Sequence, residues 1–377
     1  MKARAVIVGG GVLGLALAYK LAKRGWNDIV VCEKSHINAG ASARCGGGIR
    51  VQWSTRRNIE IMLEAQHAFE TFASRLGQNI WFRQGGYLFL AKSDAHVAAL
   101  ETNIRKQNEN GVKTRLITRS EIKDRVPMIN LDGIKAGAFN PTDGVLFPFP
   151  VLWGYANACR DLGVTIQDHT EVTGIETTNG RVTKVTTTAG EIETPMVINA
   201  AGAWSPQIGA MVGVELPNKP EKHEAIVTEP LRPFLNPNLV PMDSGMYLSQ
   251  TMRGELYACV GHKFEEANYT ASFSFVRKVS RLMTDLIPRL GDVKLLRHWA
   301  GFYDTTPDTN PILGPVKEVE GFIQFHGFMG HGFMMAPAVA RIMADYLAND
   351  KSHWLIEDCN LARFETGGLE AETMIIG

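Results

Sequence analysis

The chain has 377 residues, of which 45% are hydrophobic and 21% charged, a composition that suits a globular protein large enough for two domains. Its 39 Lys and Arg residues balance 39 Asp and Glu residues, so no overall field points to nucleic acid or an anionic membrane. No apolar run is long enough to span a bilayer, and the five cysteines and ten histidines show no metal-ligand spacing. We therefore expect a soluble, cytoplasmic protein with reduced cysteines and no bound metal.

The first 33 residues predict a strand, a glycine turn, a helix and a second strand that ends in an acid. Gly9 permits a tight turn, Gly11 lets the backbone approach a pyrophosphate, and Gly14 lets the helix lie close to its strand. Glu33 follows roughly 20 residues later, where an acid can accept a hydrogen bond from a ribose hydroxyl. This pattern predicts a site for an adenine dinucleotide.

Lys2 and Arg4 before an apolar stretch also imitate the start of a secretory signal peptide. Three consecutive glycines would break the helix that such a signal needs, and no clear cleavage site follows. The acid at Glu33 favours a free ribose over a 2′-phosphate, so FAD or NAD fits better than NADP.

Further along the chain, apolar periodicity predicts alternating helices and strands. Helices are expected at 55–76, 95–110, 151–162 and 334–347, and strands at 86–90, 164–167, 172–176, 182–187 and 196–204, the last ending in small residues, with a strand-rich region over 217–296. The pairs Asn179-Gly180 and Ala189-Gly190 predict two hairpin turns. No polar linker separates the chain cleanly, so two discontinuous domains are expected.

Several segments together carry a family resemblance. They are Arg44–Arg50 (RCGGGIR), Asn199–Trp204, Trp299–Tyr303 and Gly327–Met334. With the N-terminal fingerprint, they resemble the FAD-dependent D-amino-acid oxidase superfamily, of the glutathione-reductase-2 type. Asn140–Gly144 (NPTDG) and Thr306–Pro311 (TPDTNP) are similar to the β subunits of hetero-oligomeric L-proline dehydrogenase and sarcosine oxidase.

The resemblance implies an α/β, two-domain fold of the α+β kind. A Rossmann-like FAD-binding domain would comprise 1–85 with 146–216 and 297–377. A discontinuous substrate domain, built mainly on an antiparallel sheet, would comprise 86–145 with 217–296.

The resemblance also implies where a non-covalent FAD lies. Gly11, Val12 and Leu13 would be near the pyrophosphate, Glu33 on the adenosine ribose, Val172 near the adenine, and Ser42 with Arg44–Gly47 along the flavin. The full set of expected cofactor residues is Gly9, Gly11, Val12, Leu13, Gly14, Glu33, Lys34, Ser42, Arg44, Cys45, Gly46, Gly47, Val172, Ala200, Gly202, Trp204, Gly301, Gly330, Gly332, Phe333 and Met334.

The segment Gly332–Met334 is expected at the pyrimidine edge of the flavin. A flavin that accepts a hydride becomes anionic at N1 and O2, and free N–H groups at a helix N-terminus stabilise charge there. The alternative for Gly330-His331-Gly332 is a plain helix-start turn.

Three residues are expected to act on substrate by the same resemblance. Arg50 would pair with a substrate carboxylate, with Arg56 and Arg57 as nearby competitors. Tyr247 would cover the substrate or serve as a buried structural tyrosine, and His331 is interpreted as a positioning residue.

Three departures from the family refine this picture. Gly301 stands where the monomeric sarcosine oxidase has the cysteine that binds flavin, so covalent attachment there is not expected. Tyr303 stands near a carboxylate-binding arginine of glycine oxidase, and Cys259 aligns with an oxygen-activating lysine. Loss of that cation favours a dehydrogenase.

Some heteromeric relatives hold FMN between subunits. The histidine that tethers it has no counterpart in 147–151, so any second flavin here would be non-covalent. The predicted activity is oxidation of a secondary amino acid, such as proline, hydroxyproline or sarcosine, to an imine, with an α subunit or electron acceptor as possible partner. Alternatives are a glycine- or sarcosine-type oxidase that uses O₂, an NAD-dependent dehydrogenase, and a non-catalytic FAD-carrying subunit.

Overall fold

The computed structural model describes residues 1–261 and 268–376. The part of the strand-rich prediction that falls on 262–267 lies outside the described residues, as does residue 377. The strands within the described ranges are β1 (Ala5–Val8), β2 (Ile29–Cys32), β3 (Gly48–Ile49), β4 (Tyr87–Ala91), β5 (Arg115–Ile117), β6 (Ala136–Asn140), β7 (Gly144–Val145), β8 (Thr165–Gln167), β9 (Val172–Thr178), β10 (Arg181–Thr187), β11 (Gly190–Glu193), β12 (Val197–Asn199), β13 (Lys219–Thr228), β14 (Asn238–Pro241), β15 (Tyr247–Gln250), β16 (Leu256–Cys259), β17 (Leu295–Thr305), β18 (Ile312–Pro315) and β19 (Phe322–His326).

The helices in the same ranges are α1 (Val12–Ala22), α2 (Ala41–Arg44), α3 (Arg56–Glu70), α4 (Phe72–Leu76), α5 (Asp94–Glu109), α6 (Arg119–Arg125), α7 (Pro148–Asp161), α8 (Ser205–Ala210), α9 (Phe273–Leu286), α10 (Gly332–Asn349) and α11 (Trp354–Asp358). Short 3₁₀ turns occupy Gly202–Trp204, Pro288–Asp292 and Leu361–Glu365.

The first sheet has six strands in the order β18-β19-β12-β1-β2-β8. All neighbours are parallel except the edge strand β18. Every residue of β1 and β2 is buried, as expected for parallel strands with both faces covered. The glycine turn between β1 and α1 therefore opens at the carboxyl edge of a parallel sheet, where such folds bind nucleotides.

The second sheet has eight strands in the order β17-β13-β16-β15-β14-β4-β6-β5. Its neighbours are antiparallel apart from the parallel pair β4 and β14. The predicted fold class, a Rossmann-like domain joined to a mainly antiparallel one, is confirmed. Two strand pairs cross the predicted domain boundaries. Strand β17, most of which falls in the predicted FAD-binding segment 297–377, pairs along its length with β13, and β7, in the predicted substrate segment 86–145, pairs with β3.

Several predicted elements match, and the differences have local causes. The helix expected over 55–76 breaks into α3 and α4 at Thr71, and Gly77 ends it in the left-handed conformation. The helix α7 begins three residues before the predicted start because Pro148 fits the first turn of a helix. Helix α9 lies inside the region predicted as strand-rich, and its buried Phe275, Val279 and Met283 recur every four residues.

Candidate active site

The turn between β1 and α1 has no room for side chains. Gly9 has φ +112°, and a Cβ on it would lie 2.5 Å from the Ala200 carbonyl oxygen. A Cβ on Gly14 would lie 2.0 Å from the Gly9 carbonyl oxygen. The same Cβ would lie 3.2 Å from the Ile7 side chain of β1, so the helix lies close to its strand as predicted for Gly14, and the N-terminus of α1 opens beside the turn.

Glu33 at the end of β2 faces the same turn. Its Oε2 accepts a hydrogen bond from the Gly10 N–H at 2.9 Å, and its Oε1 accepts one from the Ser35 N–H at 3.0 Å. Across the turn, the Ser42 Oγ accepts from the Val12 N–H at 3.0 Å. An acid fixed beside a glycine turn and a helix N-terminus is the arrangement that a ribose and a pyrophosphate require.

A cavity of about 470 Å³ extends from this turn. The expected cofactor residues that line it are Gly9, Gly11, Val12, Leu13, Glu33, Lys34, Ser42, Arg44, Cys45, Val172, Ala200, Gly202, Trp204, Gly330, Gly332 and Phe333. The Lys34 ammonium lies 3.8 Å from the ring centre of Trp204 in a cation–π contact. These residues fit an elongated dinucleotide, and Gly14 contributes from behind the turn.

A second cavity, of about 120 Å³, adjoins the first, and Arg44, Cys45, Gly330 and Phe333 line both. The remaining expected site residues lie here, namely Gly46, Gly47, Arg50, Tyr247, Gly301, His331 and Met334. The structure therefore brings together every predicted substrate residue in one cavity, beside the cavity that fits the dinucleotide.

The segment after α2 is held against β17. Arg44 donates to the carbonyl oxygens of Ala39 at 2.9 Å and Ala300 at 3.0 Å, and the Trp299 indole donates to the Arg44 carbonyl at 2.9 Å. Gly47 has φ +67°, and a Cβ there would lie 2.0 Å from the Leu146 carbonyl oxygen. Backbone rather than side chain therefore forms this wall of the cavity.

Arg50 is fully buried and follows β3. Its guanidinium donates to the carbonyl oxygens of Gln52 and Met374 and lies 3.8 Å from the ring centre of Trp53. Nε has no hydrogen-bond partner among the described residues. No carboxylate in the described chain lies within ion-pair distance of this buried cation, and burial lowers its pKa.

His331 precedes α10 and contacts Arg50. Its Nδ1 lies 2.7 Å from the Met329 carbonyl oxygen, and its Nε2 lies 3.4 Å from Arg50 Nη2. Burial and the nearby Arg50 charge lower the pKa of His331 to about 3. A neutral ring that donates from Nδ1 leaves Nε2 as an acceptor for Arg50, so the geometry supports a positioning role.

Tyr247 lies on β15 among other aromatic residues. Its ring centre is 5.7 Å from that of Tyr87 and 5.8 Å from that of Tyr257. Its hydroxyl is buried and makes no well-formed hydrogen bond with a described residue, and burial raises its pKa to about 12. A buried hydroxyl without a partner at a cavity wall is available to a ligand.

The competing arginines lie elsewhere. Arg56 is exposed and pairs with Glu60 one turn along α3, and Arg57 donates to the Asn310 side-chain carbonyl at 2.9 Å. Neither lines the cavity of Arg50.

The sequence reasoning missed four groups at this site. They are the aromatic residues Tyr87 and Tyr257, the buried Asp143, His223 on β13, and the C-terminal residues Met374 and Ile376. The alternation of polar and apolar residues along 219–228 could have placed His223 and Ala225 on one face. No local pattern could have brought the C-terminal segment to the site.

The C-terminal segment closes one side of the substrate cavity. Glu372 accepts hydrogen bonds from the backbone and hydroxyls of Ser54 and Thr55 at the start of α3. The Tyr303 hydroxyl donates to the Ile376 carbonyl at 2.9 Å, and Ile376 lines the cavity. The segment thus reaches both the carboxylate-binding candidate Arg50 and the opposite wall.

The described residues contain no cluster of three or more His, Cys, Asp or Glu side chains that could hold a metal ion. In 1–261 and 268–376, no helix combines the length and apolar character needed to cross a bilayer.

Fold and site together define a dinucleotide-binding oxidoreductase with an aromatic substrate cavity. The family model described as "FAD dependent oxidoreductase" (DAO) matches residues 4–346, and the chain belongs to this family. The expectation of an FAD enzyme is confirmed, and the family is not one of NAD-dependent dehydrogenases.

The similar proteins are consistent with this family. The chain is 30% identical over 378 residues to "Sarcosine oxidase subunit beta" of Rhodobacter capsulatus, covering 99% of this chain and 91% of the relative. It superposes on the crystal structure of L-proline dehydrogenase from P. horikoshii with a TM-score of 0.93 and 36% identity, covering 98% and 99% of the two chains. The fold also matches glycine oxidase from Geobacillus kaustophilus at 22% identity and a TM-score of 0.86, over all of both chains.

Proposed function

We propose that the chain oxidises a secondary amino acid, of the proline, hydroxyproline or sarcosine type, to an imine. Bound FAD supplies the hydride acceptor, its N5. The similarity to proteins named as L-proline dehydrogenase and sarcosine oxidase subunit beta supports this substrate class.

The observation that carries the proposal is the buried, unpaired charge of Arg50. An ionised group taken out of water needs a partner of opposite charge, yet Arg50 contacts neutral acceptors only. A substrate carboxylate would supply the missing anion, and Nε has a free donor for it. His331 and Trp53 hold the guanidinium in place.

The walls of the cavity suit the rest of such a substrate. Four aromatic residues line it, and their apolar surface favours a pyrrolidine ring or an N-methyl group; they are Tyr87, Tyr247, Tyr257 and Trp299. The same apolar surroundings favour a neutral amine over an ammonium, and only the neutral amine has the lone pair that drives hydride loss.

We further propose that the chain works as a β subunit in a cytoplasmic complex. Trp81, Phe147, Phe149 and Trp153 form an aromatic surface at the start of α7, and three of them are more than two-fifths exposed. Exposed aromatic clusters of this kind mark interfaces. A second flavin, FMN, held there without a covalent bond would be buried by the partner. Purification of the native protein, followed by extraction of its flavins, tests the complex and the second flavin together. A monomeric protein that contains FAD alone would contradict both.

Anaerobic mixing of the purified, FAD-loaded chain with proline, hydroxyproline, sarcosine, glycine, D-amino acids and opines tests the proposed activity. We expect one secondary amino acid to bleach the flavin absorbance. A flavin that none of them bleaches would overturn the proposal and favour a non-catalytic FAD-carrying subunit. Reoxidation of the bleached flavin by air within the turnover time would identify an oxidase instead of a dehydrogenase.

Arg50→Ala tests the anchor. We expect KM to rise about 100-fold, the equivalent of about 3 kcal/mol, with FAD still bound. Arg56→Ala is the matched control, because Arg56 is exposed and lies off the cavity. An unchanged KM in Arg50→Ala would remove the assignment.

A further inference from the structure

His223 is a titratable residue of the substrate cavity that the proposed function does not yet use. It lies on β13, where Lys222 and Glu224 are buried on one face and His223 and Ala225 occupy the other. His223 lines the same cavity as Arg50. Its ring stacks on Tyr303 with centres 3.7 Å apart and planes 22° apart, so the imidazole is held in one orientation.

The cavity needs a proton acceptor. A secondary amino acid carries an ammonium group in neutral water, and loss of a hydride from the α-carbon needs the nitrogen lone pair. Burial raises the pKa of Tyr247, Cys45 and Cys259 to about 12, so these groups hold their own protons. They cannot accept one from the substrate near neutral pH.

The other histidine and the acid at the cavity are already engaged. Both ring nitrogens of His331 have partners, Met329 and Arg50, and its pKa of about 3 opposes protonation. Glu224 Oε2 accepts from Ser272 and lies 2.5 Å from His298 Nε2, on the other face of the strand.

His223 also has a route to solvent. Its buried Nε2 lies 3.5 Å from Glu221 Oε1, two residues back on the same face of β13. The Glu221 side chain is 59% exposed. The interaction with His223 lowers the pKa of Glu221, as expected for a carboxylate that stabilises an imidazolium. The exposed carboxylate of Glu221 therefore connects the buried ring nitrogen with solvent.

We propose that His223 accepts the ammonium proton of the bound amino acid and releases it to solvent beside Glu221. The proposal rests on the proposed function. An N–H bond of the substrate breaks and an N–H bond forms on the imidazole, while the electron pair stays on the substrate nitrogen. The hydride then leaves the α-carbon with two electrons, and the nitrogen lone pair forms the C=N bond of a protonated imine.

The charges around His223 act in opposite directions. The Glu221 carboxylate on its own strand lies 3.5 Å from the ring, and the opposite charge of Arg50 lines the same cavity. His331, before α10, is electrostatically coupled to it and stays neutral, as does Tyr303 on β17.

The test is anaerobic stopped-flow reduction of the FAD-loaded protein by proline or sarcosine between about pH 6 and pH 10. In His223→Gln, we expect flavin reduction by substrate to be about 100-fold slower than in the wild type at pH 7. Near pH 10 the substrate loses its own proton, so the rate in the variant should approach the wild-type rate. Glu221→Gln should slow flavin reduction less, with the same dependence on pH. His67→Gln is the control, since His67 is exposed on α3 and pairs only with Glu70 among the described residues.

Each outcome separates the inference from the proposed function. FAD content and visible spectrum show whether a variant is folded, and Glu221→Gln keeps the test open if His223→Gln loses FAD. A wild type that is reduced while both variants keep its pH profile would overturn the proton path alone. A wild type that no panel member reduces would overturn the proposed function and the path with it.

Discussion

At the scale of single residues, the site is built around one buried guanidinium. Arg50 stacks on Trp53 and donates to backbone carbonyls, which orient it but leave it without a carboxylate in contact among the described residues. The carboxyl groups of Glu372 and Asp143 act on its charge from a longer distance. In the proposed function, a substrate carboxylate supplies the counter-ion in direct contact.

Tyr247→Phe separates the two interpretations of this tyrosine. If Tyr247 is structural, loss of an unpaired buried hydroxyl should leave stability unchanged or slightly raised, because such a group costs free energy. If the hydroxyl binds substrate, KM should rise about tenfold while FAD binding is unchanged. We expect the second result from steady-state kinetics, together with an unchanged Tm. An unaltered KM would assign Tyr247 to the cavity wall only.

Asp143 gives a pH-dependent prediction. Burial raises its pKa to about 7, against hydrogen bonds from Val51, Gln52 and Asn140. Because the folded-state pKa is raised, the folded protein holds a proton that the unfolded chain releases between about pH 4 and pH 7. Stability from this group is therefore present at low pH and falls by about 1.4 kcal/mol per pH unit across that window.

Asp143→Asn removes this contribution. Gln52 can reverse its side-chain amide so that its Oε1, which has no partner now, accepts a hydrogen bond from the new amide at position 143, so the fold should persist. We expect the Tm of the variant relative to wild type to rise between about pH 4 and pH 7 and then level off. Parallel Tm curves for the two proteins would contradict the raised pKa.

At the scale of elements, the C-terminal segment is attached to the start of α3. Glu372 accepts from Ser54, Thr55 and Asn58, and although burial opposes it, these hydrogen bonds lower the pKa of Glu372. A carboxylate at a helix N-terminus is also favoured by the helix dipole. The attachment places the Met374 carbonyl on Arg50.

Glu372→Gln should loosen the segment. An amide cannot accept at both ends, so we expect Tm to fall by several degrees and KM to rise several-fold as Arg50 loses support from Met374. Glu370→Gln, an exposed position on the same segment, should change neither quantity. Equal effects of the two substitutions would show that the attachment through Glu372 does not matter.

Local elements could be predicted where the pattern was local. The glycine turn and the hairpin at Asn179-Gly180 follow from residues that adopt positive φ, and both are present. Helix α9 was not predicted, because the alternation of residues 256–260 favoured strands throughout the region that contains it. The pairing of β17 with β13 brings together residues about 80 positions apart, which no local pattern encodes.

At the scale of the whole molecule, the candidate site lies where the two large sheets meet. The dinucleotide cavity opens from the glycine turn of the parallel sheet, and the substrate cavity is lined by β13, β15, β16 and β17 of the other. Sixteen of the residues expected from sequence motifs to bind the cofactor line the first cavity, and their contact with a cofactor stays a prediction. The second was predicted through Arg50, Tyr247 and His331, while His223 and the C-terminal residues needed the tertiary fold.

Because FAD would contact segments from both parts of the chain, cofactor binding should stabilise the molecule as a unit. Tm should rise with FAD concentration, because FAD at 100 times its Kd adds about 2.7 kcal/mol to the free energy of unfolding.

Gly11→Ala tests the contact between the glycine turn and the cofactor. The new Cβ would lie 3.3 Å from the Ser42 hydroxyl, within the cofactor cavity. We expect it to weaken FAD binding at least tenfold and to leave the Tm of the FAD-free protein unchanged within a few degrees. Gly291→Ala, with open space around its Cβ, is the control and should keep the FAD-dependent rise. A full FAD-dependent rise in Gly11→Ala would show that the glycine turn does not approach the cofactor.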